Sequence, residues 1–183
     1  MDETATLPEP GTGAALSGEQ ADLLAELRAA RFFLRFTTRD LTDEQAAARP
    51  TPSDLCLGGL IKHVTGCERG WVESIVDGSS TSKDFDDLTA EDFAAREDEF
   101  RMLPGETLAG VLAAYDEVAR RTDEMVATLP DLDAKWPLPK APWFQETHWS
   151  TRRVLLHIMA ETTQHAGHAD IIREAIDGAK TMG

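Results

Sequence analysis

The sequence predicts an all-α protein, a four-helix bundle with a long connection between its second and third helices. Three observations carry this expectation. Apolar residues recur at helical spacing in four long stretches. Ser and Thr stand as capping residues where helical patterns begin. Strand-type alternation is scarce.

The first helical pattern runs from about Ser17 to Arg39. Ser17 with Gln20 makes a capping-box signature, and Leu23, Leu24, Leu27, Phe32 and Leu34 supply its apolar face. Thr42 with Gln45 marks a short extra turn before Arg49-Pro50-Thr51-Pro52, which must be extended or turned. The second helix is expected from about Asp54 to Asp77, with Leu57, Leu60, Ile61, Val64, Trp71 and Ile75 on one face. Residues 78–105 form a long acidic connection, SKDFDDLTAEDFAAREDEF followed by Pro104-Gly105, in which Ala90–Arg101 can form a short helix. The third long helix spans about Thr107 to Leu129. A loop rich in Pro and Trp follows. Ser150 then caps the fourth long helix and Gly178 follows its end. The long connection lets the second and third long helices run parallel.

The 183 residues make one domain over residues 17–183, preceded by a flexible tail over residues 1–16 whose Pro and Gly content opposes packing. Thirty-three acidic against 18 basic residues leave a net charge of −15, which argues against nucleic acid and anionic membrane surfaces as partners. No apolar run approaches the roughly 20 residues of a membrane span. The acidic N-terminus, MDETATLPEPGTGAALSGEQ, lacks the basic and apolar regions of a secretion signal. Cys56 and Cys67, if on one helix, are separated by about 16 Å of rise. A disulfide needs Cα atoms within about 7 Å. The two should stay unpaired in a cytoplasmic protein.

Residues 157–170, HIMAETTQHAGHAD, hold three of the five histidines. At about 100° per residue, His165 falls in the middle of an apolar arc with Val154, Ile158, Thr162, Ala169, Ile172 and Ile176. Glu161 lies about 60° from the centre of that arc and still faces inward; His157 and His168 lie about 80–100° off, at its boundary. Glu161 and His165, four residues apart, can share a ligand. A buried carboxylate beside a buried imidazole is costly unless paired or metal-bound. Spacing leaves two readings open. In one, a divalent cation joins the pair with a ligand from another helix, His63 first, with Cys67 and His148 as further candidates. In the other, Glu161 and His165 form a plain hydrogen bond and His63 flanks the core. Cys67 reads foremost as a small core residue, and Asp170 with Arg173 as a charge pair on the helix surface. Trp71, Trp143 and Trp149 read as core or pocket wall. No Ser-His-Asp arrangement, glycine-rich phosphate loop or CxxC is present in the sequence.

His63 followed by Glu68-Arg69-Gly70-Trp71, then His148-Trp149-Ser150, Leu155-Leu156-His157 and Glu161-Thr162-Thr163-Gln164-His165-Ala166-Gly167-His168-Ala169-Asp170, together resemble the DinB/YfiT-like superfamily. They are closest to its actinobacterial branch with mycothiol-dependent enzymes. The resemblance covers nearly the whole chain after residue 17 and implies an up-down-down-up bundle. It also implies a divalent metal on three side chains, which carry over to His63, Glu161 and His165. Most relatives have histidine at the position of Glu161; the present set is similar to that of mycothiol-dependent maleylpyruvate isomerases. Zinc suits these donors, with nickel, iron and manganese compatible.

The expected activity is that of a metal-dependent thiol S-transferase or thiol-dependent isomerase. It would use mycothiol or a similar thiol and a small electrophile, with His168 as proton carrier and His157 orienting the site. A metal-dependent hydrolase, a biosynthetic lyase or cyclase, or a non-catalytic metal-containing stress protein is the alternative. The pocket should open between the second and fourth long helices, walled by residues 130–149. A monomer or homodimer is expected.

Overall fold

The computed structural model describes residues 16–80 and 82–181, so the expected tail lies almost wholly outside the described residues. Six helices follow one another: α1 (Gly18–Phe36), α2 (Asp43–Ala47), α3 (Leu57–Asp77), α4 (Ala90–Glu99), α5 (Leu108–Thr128) and α6 (Thr151–Asp177). Side-chain oxygens start most of them. Ser17, Thr42 and Thr89 close capping boxes, and Thr107 and Ser150 accept from the third amide of α5 and α6. These contacts satisfy amides that a helix start leaves without a partner. Two helices end in left-handed glycines, Gly78 and Gly178, a conformation that costs glycine least.

Three boundaries differ from the sequence reading for local reasons. α1 stops at Phe36, because the Thr37 and Thr38 hydroxyls fold back onto the carbonyls of Leu34 and Arg35 and Asp40 takes a positive φ. α3 begins at Leu57, because Cys56 is extended and its Sγ accepts from the Gly59 amide. The loop after α5 contains a short antiparallel hairpin, β1 (Lys135–Pro137) against β2 (His148–Ser150), with Trp136 opposite Trp149. Strands of three residues, one holding a proline, are too short for alternation to reveal.

Contacts along the helices set their directions. Gln20 at the start of α1 donates to the Val126 and Leu129 carbonyls at the end of α5, while Arg35 near the end of α1 pairs with Asp116. α1 and α5 are therefore antiparallel. Glu19 meets Arg152 at the start of α6, and Arg173 near its end reaches the Thr37 and Arg39 carbonyls, so α1 and α6 are parallel. α3 runs antiparallel to α6, with His63 facing His165 and Trp71 facing His157. Lys62 near the start of α3 reaches Glu106 just before α5, and Glu68 meets Thr122 further along, so α3 and α5 run parallel. The order is up-down-down-up, as the resemblance implies.

Two apolar clusters fill the bundle. Leu24, Leu27, Val72, Ile75, Val126, Val154 and Ile158 form one end, and Leu34, Leu57, Leu60, Ile61, Val64, Tyr115 and Ile172 the other. Each such buried side chain stabilises the fold by roughly 1.5–3 kcal/mol. Between the clusters lies a polar layer. Glu68, fully buried, accepts two bonds from Arg31 and one from Thr122. Arg31 also donates to Asp123 at 2.8 Å. One node thus joins α1, α3 and α5. Arg173, expected on the surface with Asp170, is instead 4% exposed. It pairs with Asp177 and the end of α1, while Asp170 accepts from the Thr181 amide. Helical spacing alone did not reveal that the turn after α1 covers this arginine.

Removing one partner strands a buried charge. Glu68→Ala is expected to lower stability by about 3–5 kcal/mol, read from urea unfolding. The double replacement Arg31→Met/Glu68→Leu should lose markedly less than the two single changes added together. Additive losses would show that the pair is not the coupling element.

Candidate metal centre

The polar layer opens towards α6 into a second group of side chains. His63 sits near the start of α3 and is 3% exposed. His165 faces it from the middle of α6, with ring centroids 4.9 Å apart and planes nearly perpendicular. Glu161 lies one turn before His165, with Oε2 3.7 Å from His165 Nε2. One donor atom from each of His63, Glu161 and His165 lies within 4.8 Å of the other two.

These donors fit a divalent cation. Two imidazoles and one carboxylate are a recurrent zinc set with room for a fourth ligand. Burial, with the neighbouring His63 adding to it, pushes the His165 imidazole down to about 4, so at neutral pH it carries a free lone pair. The wall beside Glu161 is open to a cavity, so an exchangeable position has somewhere to face.

Glu99 completes the arrangement and had no signal in the sequence. It ends α4 inside the acidic run Arg96-Glu97-Asp98-Glu99, where any carboxylate reads as solvated. Its Oε2 is 3.0 Å from His63 Nδ1. A carboxylate on one ring nitrogen fixes the tautomer and leaves Nε2 as the donor. The Phe100 ring stacks on the same imidazole at 4.1 Å. This turn is held close to α3 by Lys62, which donates to the Asp98 and Arg101 carbonyls and to Glu106. Gly59 permits the approach: a Cβ there would lie 2.0 Å from the Phe100 carbonyl oxygen.

The other expected residues separate. His168 stands behind His165, with Nδ1 to Nδ1 at 3.4 Å, and is not among the residues lining the cavity. His157 does line it. Its ring packs edge-on to Trp71 and Trp149, at 5.3 and 5.1 Å, and Nε2 is 4.0 Å from Glu161 Oε1. Burial lowers its pKa and keeps it neutral. His148 is exposed in β2 beside the Thr147 hydroxyl, away from the cluster. Cys67 is half-buried and borders the cavity instead of filling the core. Burial, with the Glu161 charge adding to it, pushes its thiol up to about 12, so it is no ready nucleophile. The cavity holds about 810 Å³. It lies between α3 and α6 as expected, but its outer wall comes from α4, Ser80 and residues 82–88 as well as residues 139–144.

Residues 22–178 match the family model described as Mycothiol-S-transferase. The chain belongs to the mycothiol S-transferase family, of DinB/YfiT-like type. The match starts inside α1 and ends at the cap of α6, so all of the bundle of this family member but the first turn of α1 is included. A crystal structure of a conserved protein from Enterococcus faecalis shares the fold, with a TM-score of 0.67 at 12% identity over 90% of this chain and all of the other. No curated protein matches the sequence. Among the described residues of this mycothiol S-transferase relative, no helix is long and apolar enough to cross a membrane.

Replacing His63, Glu161 or His165 by Ala should each abolish stoichiometric metal in protein purified without chelator, by elemental analysis. Glu99→Gln should leave the fold intact and weaken metal affinity about 10- to 100-fold in a chelator competition. An unchanged affinity would mean that His63 needs no orienting partner.

Proposed function

We propose that this protein is a divalent-metal-dependent S-transferase that joins mycothiol, or a closely similar low-molecular-weight thiol, to a small electrophile. The observation carrying the proposal is the convergence of His63, Glu161 and His165, the first two of which line the cavity, in a chain of the mycothiol S-transferase family. These three side chains would hold the metal, zinc by donor type, with nickel, iron or manganese compatible. When bound, the metal supplies Lewis acidity that favours thiolate over thiol at neutral pH.

The chain's own groups do the rest. Glu99 holds His63 in one tautomer through Nδ1. His168 braces His165 from behind, at the nitrogen turned away from Glu161. Proton transfer was expected of His168 and orientation of His157; the distances support the exchange of these roles. His157 is neutral, borders the cavity and lies beside Glu161, so its Nε2 is placed to take the thiol proton. The sulfur electron pair then forms the C–S bond as the leaving group departs with the electrons of its own bond to carbon. His157 passes the proton to water. With an activated alkene, the proton returns to the neighbouring carbon, and the reversal of that addition is the route to isomerisation. Glu161 in place of the commoner histidine favours keeping the isomerase as a second reading. The free thiols of Cys56 and Cys67 support a cytoplasmic, reducing setting.

Purified protein is expected to carry about one divalent metal per chain and to conjugate an electrophile with mycothiol far faster than with glutathione. Chelation should end turnover and metal restore it. Turnover independent of any thiol would sink the proposal and favour a hydrolase. His157→Gln should keep its metal and lose roughly a hundredfold or more in kcat, with the acid limb of the pH profile removed.

A further inference from the structure

The metal-facing groups occupy only part of the cavity. The outer wall is aromatic. Phe85, Phe93 and Trp143 line it and remain 38%, 49% and 63% exposed, an unusual concentration for a chain of net charge −15. The wall is a built feature. The Phe85 amide donates to the Lys140 carbonyl at 2.7 Å, and the Lys140 amide donates to Asp84 Oδ1 at 2.8 Å. The Phe85 and Trp143 rings meet edge-on at 5.3 Å. From Trp143 the ring contacts continue inward through Phe144 at 6.1 Å, Trp149 at 5.1 Å and His157 at 5.1 Å. An aromatic strip therefore runs from the wall to the residue beside Glu161: Phe85, Trp143, Phe144 and His157 line the cavity, as does Phe93, while Trp149 is buried.

The charges around the strip limit what it takes. Lys83 is held by both carboxylate oxygens of Asp92, at 2.8 Å each, and Arg96 lies 3.9 Å from Glu99. Lys83 is thus matched and Arg96 only loosely so, while the field of the whole chain repels anions. A hydroxyl-rich thiol carrier needs convergent hydrogen-bonding groups. The cavity's hydroxyls, Ser74, Ser80 and Ser82, can supply them; the ring faces of Phe85, Phe93 and Trp143 cannot.

We infer that this strip is the subsite for the second substrate, and that it takes a flat, uncharged aromatic electrophile whose reactive carbon is held beside His157 and Glu161. The chemical role rests on the S-transferase reading; the binding role does not.

Binding of dinitrobenzene, a flat neutral ring without a leaving group, is measured in metal-free protein without thiol, by quenching of tryptophan fluorescence. Phe93→Ala removes one exposed ring and leaves every tryptophan in place. Its Kd for dinitrobenzene should rise about three- to tenfold, and anionic dinitrobenzoate should bind the parent protein more weakly than dinitrobenzene. With metal and mycothiol present, KM for chlorodinitrobenzene should rise by a similar factor. KM for the thiol and the rate with iodoacetamide should stay within twofold. An unchanged Kd in the variant overturns the inference. So does a rise in the thiol KM alone, which would give the strip to the thiol. Absence of turnover with any thiol would defeat the S-transferase reading, while the quenching result still decides the subsite.

Discussion

The buried Arg31–Glu68 pair is the constraint on which the bundle depends. A carboxylate with no exposed surface is tolerable only when its oxygens are matched, and here Arg31 and Thr122 match them from two other helices. Apolar side chains alone allow helices to slide or turn against one another at modest cost. Directional bonds do not. With Glu68 held, α3 has one height relative to α1 and α5, and His63, one to two turns away on the same helix, has one height as well. The polar layer thus works as a register device between two apolar clusters that have little directional preference of their own.

The fourth helix is held differently. α6 is fixed at both ends, by Arg152 to Glu19 and by Arg173 to the carbonyls that follow α1. Its middle carries Glu161 and His165, and the buried charge that helps to hold the helix, Arg173, lies near its end. The candidate ligands therefore sit on two helices that are each positioned against α1. Only His63 requires a further support, and the turn at the end of α4 supplies it through Glu99 and Phe100. The approach of that turn depends on the missing side chain of Gly59.

Much of this could be read from the residues. The four long helices, their caps and the short helix in the acidic connection followed from periodicity and capping chemistry. Helical angles placed Glu161 and His165 inward, and the resemblance selected His63 over Cys67 and His148. What stayed hidden has a common cause. Arg31, Glu68, Glu99 and Arg173 are charged residues, and a single chain gives no sign of which charge another element will cover. The hairpin was hidden by shortness. His157 and His168 were symmetric in angle, and only the position of the cavity separated them.

The loop part of the cavity's outer wall is knit to itself, Phe85 and Asp84 with Lys140, whereas its α4 part also carries Glu99, the partner of His63. The bundle's register and the loop part of the wall are thus encoded in separate parts of the chain. A change in those loops can alter the shape of the cavity while leaving the helices that carry His63, Glu161 and His165 in place.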